Sequence, residues 1–430
     1  MVIKRNQHLR KISALALVAA CSVFASQSSF AGTIEQAKRI HERLTGLPPT
    51  EATLLAMDAQ IQADSGSGVT AALNVMNGVY GSEPVEGFLG GTLKRMAAPW
   101  TNRDQDPFEP LNDYIATFIG LVKDGTDYRQ LLSGDIVYTS TASGLAAYSA
   151  SNNNHYEDIE SQAVSLETLS PQAQSSLTGL DSAATAGVMT TRAGAKAFFV
   201  AGTNRAMLRF TLMSQLCRDL EQMEDISGVP DRIRQDISRS PGGDSRLFLT
   251  GCVGCHIGMD PLAQAFAYYD YSDPDDDPAT DNGSLVYNTT AQPNPELGID
   301  TRVQPKYHIN ASNFPYGYVT PDDGWDNYWR EGLNESAGWD YGNDSPGGSG
   351  AGAKSMGREL ANSYAFAQCQ VKKVFQSVCL RDPAALVDGS GNTLNNLDAT
   401  QVSIMTDNFR TSGYNMKQVF AETADYCKGN

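Results

Sequence analysis

The stretch GCVGCHIGMDPL, Gly251 to Leu262, restricts what this chain can fold around more than any other. Two cysteines stand three apart, and a histidine follows the second at once. A structural zinc site needs a second ligand pair at short spacing, and no second Cys or His pair follows. A thioredoxin-like pair sits between a strand and a helix in an alternating β/α pattern and does not call for His256; the region 200–270 reads as helix and loop. Covalent haem attachment needs what is present: two thiols that add across vinyl groups and an adjacent imidazole for the iron. The sequence therefore predicts one haem c, bonded through Cys252 and Cys255, with His256 as the proximal iron ligand. Met259 lies on the same side of the ring as His256 and is expected to pack.

The N-terminus fits that chemistry, because haem c is attached after export. Lys4, Arg5, Arg10 and Lys11 precede a mostly apolar run, Ile12 to Ala25, too short to span a bilayer. Ser29-Phe30-Ala31 then offers the small residues a signal peptidase reads, so 1–31 is expected to be a secretory signal cleaved after Ala31. The mature protein would be periplasmic or at the cell surface. Val18-Ala19-Ala20-Cys21 also resembles a lipobox, which leaves a lipid anchor on Cys21, and an outer-membrane lipoprotein, as the alternative. The net charge of −17 becomes −21 when the four basic side chains of 1–31, which holds no acidic one, are removed. Such a surface repels nucleic acid and anionic lipid; it is expected to keep the protein soluble, with docking of a basic redox partner as the alternative.

Of seven cysteines, six follow the signal. If haem takes Cys252 and Cys255, then Cys217, Cys369, Cys379 and Cys427 remain for two disulfides in an oxidising compartment. Cys369 and Cys379 fall on one predicted helix, about 15 Å apart along it, too far to bridge. Each is expected to pair with Cys217 or Cys427.

The sixth iron position is open between three outcomes. His41, in the charged segment EQAKRIHERL, reads as solvated, and His155, in SNNNHYED, as exposed loop. His308, among aromatics in KYHINASNFPYGY, is the histidine candidate. Met356, Met405 and Met416 are the methionine candidates, each also a plausible core residue. An open site is the third outcome.

Several segments carry a resemblance. NRAMLRFTLMSQLCRDLEQMED, RLFLTGCVGCHIGMDPLAQAFAYYDY and ELANSYAFAQCQVKKVF resemble consecutive modules of the planctomycete-type cytochrome c proteins. Gly187-Val188-Met189-Thr190, Asp260-Pro261 and Tyr269-Asp270 match that family's short signatures. Arg43–Met57 and Leu111–Leu132 are similar to its N-terminal helical parts. The likeness covers about two thirds of the mature chain, in patches, and only the haem motif is specific. It implies an exported, mostly helical, haem-bearing protein. The chain departs from the pattern after Asp270, where a long polar insertion replaces a short link.

The expected fold is mainly α: a helical N-terminal domain over 32–215, a cytochrome c-like haem segment over 216–271, an irregular aromatic-rich insertion over 272–356, and a helical C-terminal module over 357–430. Helices are predicted at Thr33–Leu44, at Thr50–Ala63 with Thr50 as cap, and at Asn112–Val122, Tyr128–Leu132 and Val229–Ser238. A long one is predicted over Thr191–Met223, and three close the chain, Gly357–Leu380, Ala399–Arg410 and Met416–Cys427. Residues 139–176 read as loop with short helices. The insertion is expected to be ordered by its aromatics, as a cover over the haem edge or as a plain surface subdomain.

Two further features are weak. Asp273, Asp275 and Asp277 are spaced like the start of a calcium loop, but Pro278 and Ser284 stand where Gly and Glu are needed, so calcium in the Asp273–Asp281 loop would need another geometry. In GGSGAGAKS, Ala353 sits where a phosphate loop requires Lys. The expected function is electron transfer by an exported monohaem cytochrome. The alternatives are a peroxidase-like oxidoreductase with an open sixth site and a surface binding protein with structural haem.

Overall fold

The computed structural model describes residues 32–200, 202–275, 281–294, 298–383, 386–387, 393–395 and 397–429. The predicted signal, with Cys21, and part of the aspartate-rich loop lie outside the described residues.

Local signals set most helix ends. Helix α1 (Thr33–Thr45) stops where Gly46 turns left-handed at φ 72°. The Thr50 hydroxyl accepts from the Thr53 N–H (3.2 Å) and starts α2 (Glu51–Ala63). Helix α3 (Val69–Met76) follows. Asn112 caps α4 (Asp113–Asp124) through the Ile115 N–H at 3.0 Å. Helix α4 is buried from Asp113 to Val122, and its Gly120 leaves room for the Tyr138 ring. That ring belongs to β1 (Val137–Ser140), which pairs antiparallel with β2 (Leu169–Gln172) inside the segment read as loop. The predicted helix at Tyr128–Leu132 shrinks to a turn at Gln130–Ser133.

The long helix predicted over Thr191–Met223 is instead two: α5 (Arg192–Phe198) and α6 (Arg205–Thr211), the latter widening into a π turn to Leu216. The break has a tertiary cause. Asn204 takes a left-handed conformation, and its buried amide donates to the carbonyls of Phe266 (2.9 Å) and Tyr269 (2.8 Å). The predicted helix at Val229–Ser238 is one 3-10 turn, Pro230–Arg232, followed by extended backbone. Ile233 and Gln235 bond there to Tyr318 and Phe314 of the insertion.

Helices α7 (Ser245–Gly251) and α8 (Val253–Ala263) meet at Cys252. Short antiparallel pairs join and span the insertion: β3 (Tyr269–Ser272), which ends the preceding segment, with β4 (Ser284–Tyr287), β5 (Gln292–Asn294) with β6 (Ile299–Thr301), and β7 (Gly324–Asp326) with β8 (Ser349–Ala351). Trp325 and Trp329 are almost fully buried within it. At the C-terminus the predicted Gly357–Leu380 helix splits into α9 (Gly352–Ala361) and α10 (Tyr364–Cys379), because the Ser363 hydroxyl caps a new start at the Phe366 N–H (3.1 Å). Helices α11 (Leu397–Thr411) and α12 (Met416–Tyr426) complete the chain.

The fold is mainly helical. One apolar core runs from Ala37 of α1 to Ala424 of α12, and α12 packs on α3 near the opposite end of the sequence. The structure sets Cys217 beside Cys369 (Cα–Cα 5.4 Å) and Cys379 beside Cys427 (5.5 Å), both as disulfides. No helix among the described residues is long and apolar enough to cross a membrane.

Candidate haem site

Cys252 ends one helix and begins the next. Its N–H bonds to the Phe248 carbonyl (3.1 Å), and its own carbonyl accepts from the His256 N–H (3.2 Å). Helical spacing then places Cys252, Cys255 and His256 on adjoining positions of the first turn of α8. Both thiols are half-buried and unpaired, whereas the other four cysteines of the described chain are joined. Burial pushes the Cys255 thiol up, and the nearby carboxylates of Glu224, Glu221 and Asp219 push it further. A redox-active dithiol needs an electropositive surrounding that favours thiolate, and this one is electronegative.

The histidine is oriented from behind. One helical turn on, Asp260 is wholly buried, and its Oδ1 lies 3.0 Å from His256 Nδ1. Burial alone would raise the Asp260 pKa; the charges of Arg205 and Arg234, with the His256 contact, hold it well below the usual carboxylate range. Arg205 grips the carboxylate at 2.7 and 3.1 Å, and the Arg234 N–H adds a bond of 3.2 Å. Arg205 also forks onto Asp236 at 2.8 and 3.0 Å. An ionised carboxylate only accepts, so Nδ1 carries the hydrogen and the lone pair of a neutral His256 sits on Nε2, the atom left free for a metal.

The insertion supports the back of this helix. Trp329 occupies the place a side chain at Gly258 would take, so α8 and the tryptophan approach as only glycine allows. Trp325 is tied to α9 through Ser355 (2.7 Å). Ile233, Phe248, Val253 and Ile257 form a separate apolar cluster against which Cys252 and Tyr328 pack.

The surface around the motif fits a flat, apolar, anionic group. Ile226 and Val229 before it, and Leu247 and Leu249 on α7, are 54–70% exposed. Arg239 lies over the rings of Phe248 (4.8 Å) and Phe314 (4.5 Å), and its Nη1 is buried without a hydrogen-bond partner. Haem carboxylates would satisfy such donors. The thiols, the imidazole, the adjoining apolar cluster and the Arg239 guanidinium therefore fit haem c.

The other sequence candidates sit elsewhere. His308 is buried at the end of the 3-10 turn Pro305–Tyr307 and borders a cavity of about 600 Å³ with Asn288 and Val303. Its neighbour Tyr307 reaches the Ala263 carbonyl (3.4 Å), about two turns beyond His256 along α8. Met356 on α9, Met405 on α11 and Met416 on α12 are buried in the main core, and none of these helices is among the elements packed most closely on α8. Met259 packs into the same core.

Two histidines expected at the surface are buried instead. His41 bonds through Nδ1 to the Leu47 carbonyl (2.9 Å), where α1 folds back on the turn that follows it. His155 accepts from the Ser140 N–H (3.1 Å) and bonds through Nδ1 to the Ala146 carbonyl (2.7 Å), which ties β1 to its loop. Asp281 is held by Arg192 (2.6 Å) and Lys196.

Sequence reasoning named Asp260 only within a short signature and missed its bond to His256, and it missed Arg205, Arg234 and Asp236. The spacing of His256 and Asp260 was a usable signal once a helix is granted; the arginines carry none, because they arrive from other segments. Among the described residues, no group of three or more His, Cys, Asp or Glu side chains is placed to hold a metal ion by itself. No family model, curated protein or solved structure matches the chain.

Proposed function

We propose that this chain is an exported monohaem c-type cytochrome that transfers electrons, its haem bonded to Cys252 and Cys255 and its iron held by His256. The observation that carries the proposal is the contrast among the cysteines: four are joined, while the pair beside a carboxylate-backed histidine stays free. A haem bound there supplies a one-electron ferric–ferrous couple. The protein's part is positional. Asp260 fixes the His256 ring and its tautomer, Arg205 and Arg234 keep Asp260 ionised, and Ile233, Phe248 and Val253 keep water from one side. The surplus of acidic side chains suits docking of a basic redox partner.

A second reading has one observation in its favour. A charged carboxylate behind the imidazole makes it a stronger donor, which also suits a peroxidase-like catalyst with an open sixth position.

Protein matured in a host with haem-attachment machinery tests both. A chain mass increased by one haem, together with a low-spin spectrum unchanged by cyanide or carbon monoxide, is the expected result. A high-spin ferric spectrum with ready cyanide binding would favour the catalyst, and a bare polypeptide mass would remove both.

A further inference from the structure

A cavity built from other elements centres on Lys373 of α10. It measures about 240 Å³ and is lined by Trp100, Gln105, Phe210, Met213 and Lys373. An engineered cavity of ~150 Å³ accepts benzene, so this one has room for a single substituted ring. The Lys373 Nζ stands 4.0 Å from the Trp100 ring centroid and donates to the Ser214 carbonyl. Desolvation lowers its pKa to about 7, and no carboxylate among the described residues offsets it. A large share of the side chain is therefore neutral amine at neutral pH. Lysines desolvated in apolar pockets are the ones that act as nucleophiles toward carbonyl groups.

We propose that Lys373 forms an imine with a small carbonyl compound bearing one flat apolar ring, seated against Trp100 and Phe210. The Nζ lone pair attacks the carbonyl carbon and a C–N bond forms. Two protons pass from nitrogen to the former carbonyl oxygen, which leaves as water, and nothing is oxidised or reduced. Besides Lys373, the polar side chains of the wall are Gln105 and Ser214. None of these residues belongs to the haem site, so the inference stands apart from the haem reading.

The test uses the full-length protein as purified. It is incubated with benzaldehyde and sodium cyanoborohydride at neutral pH, and the benzylated lysines are located by peptide mass mapping. Because the neutral fraction at pH 7 is far larger for Lys373 than for an ordinary lysine, Lys373 is expected to label at least about tenfold faster than exposed Lys38. Labelling of Lys373 no faster than Lys38 overturns the proposal. In Lys373→Met, the remaining sites are expected to label as before. The wild-type map decides the matter even if that variant folds poorly.

Discussion

Replacing Asp260 by Asn tests the proposed electrostatics of the His256 pair most directly. The variant keeps shape and an acceptor oxygen but removes the charge 3.0 Å from Nδ1. A hydrogen bond to a charged acceptor contributes about 1.5–3 kcal/mol, and a neutral one about 0.5–1.5 kcal/mol. The His256 imidazole would therefore lose roughly 1.4 kcal/mol of its preference for the more positive, ferric state. That corresponds to a tenfold change in the ferric–ferrous ratio, about 59 mV for one electron. The neighbours act in the same direction. Arg205 and Arg234 now balance Asp236 and Asp260, so an uncharged amide in place of the Asp260 carboxylate would leave one positive charge uncompensated. Spectroelectrochemical titration of the haem-loaded protein should show a midpoint potential raised by at least about 60 mV. Asp236→Asn, which touches Arg205 but not His256, should move it less. A haem-loaded, folded Asp260→Asn variant whose potential is unchanged or lower would refute the reasoning.

Three other outcomes follow from the packing and the titrating groups. Gly258→Ala pushes a methyl group into the Trp329 indole, an overpacking that should cost about 1–3 kcal/mol and lower the thermal midpoint measured by circular dichroism. Cys217→Ala with Cys369→Ala opens a covalent loop of sequence separation 152 and should cost about 2–5 kcal/mol in denaturant titrations; an unchanged midpoint would mean that the bond is absent in solution. Lys373 titrates near 7 when folded and near 10.4 when unfolded, so above pH 7 the unfolded chain holds a proton that the folded one has shed. Stability of the wild type should therefore rise between pH 7 and 9 relative to Lys373→Met, and parallel pH profiles would contradict the desolvation of that amine.

The local parts of the fold were readable in the sequence. Thr50 and Asn112 cap helices by side-chain bonds to nearby N–H groups, and such signals lie within three residues of their effect. The disulfide pairing was half readable for a similar reason. Cys369 and Cys379 share α10, which forbids one of the three pairings, and only the folded chain chooses between the other two. The break at Asn204 was unreadable, since its cause is a pair of carbonyls 62 and 65 residues later. Asp260 lay in plain view within the Asp260-Pro261 signature, but its reach to His256 depends on a helix that the sequence reading did not draw there and that tolerates Pro261 near its end. The apolar face of the insertion was announced by its tryptophans, but its landing place on Gly258 was not.

The bond between Cys217 and Cys369 has a consequence for how the protein is made. Both thiols proposed to carry the haem lie inside the loop it closes, and Cys252 is only 35 residues from Cys217, against 152 for the native partner. Shorter loops close more readily, so a chain left to oxidise unattended would favour the wrong partner. With haem attached as proposed, biogenesis has to shield two sulfurs while four others are joined, and a cell that supplies oxidant without a reductant for this pair should accumulate mispaired, colourless protein.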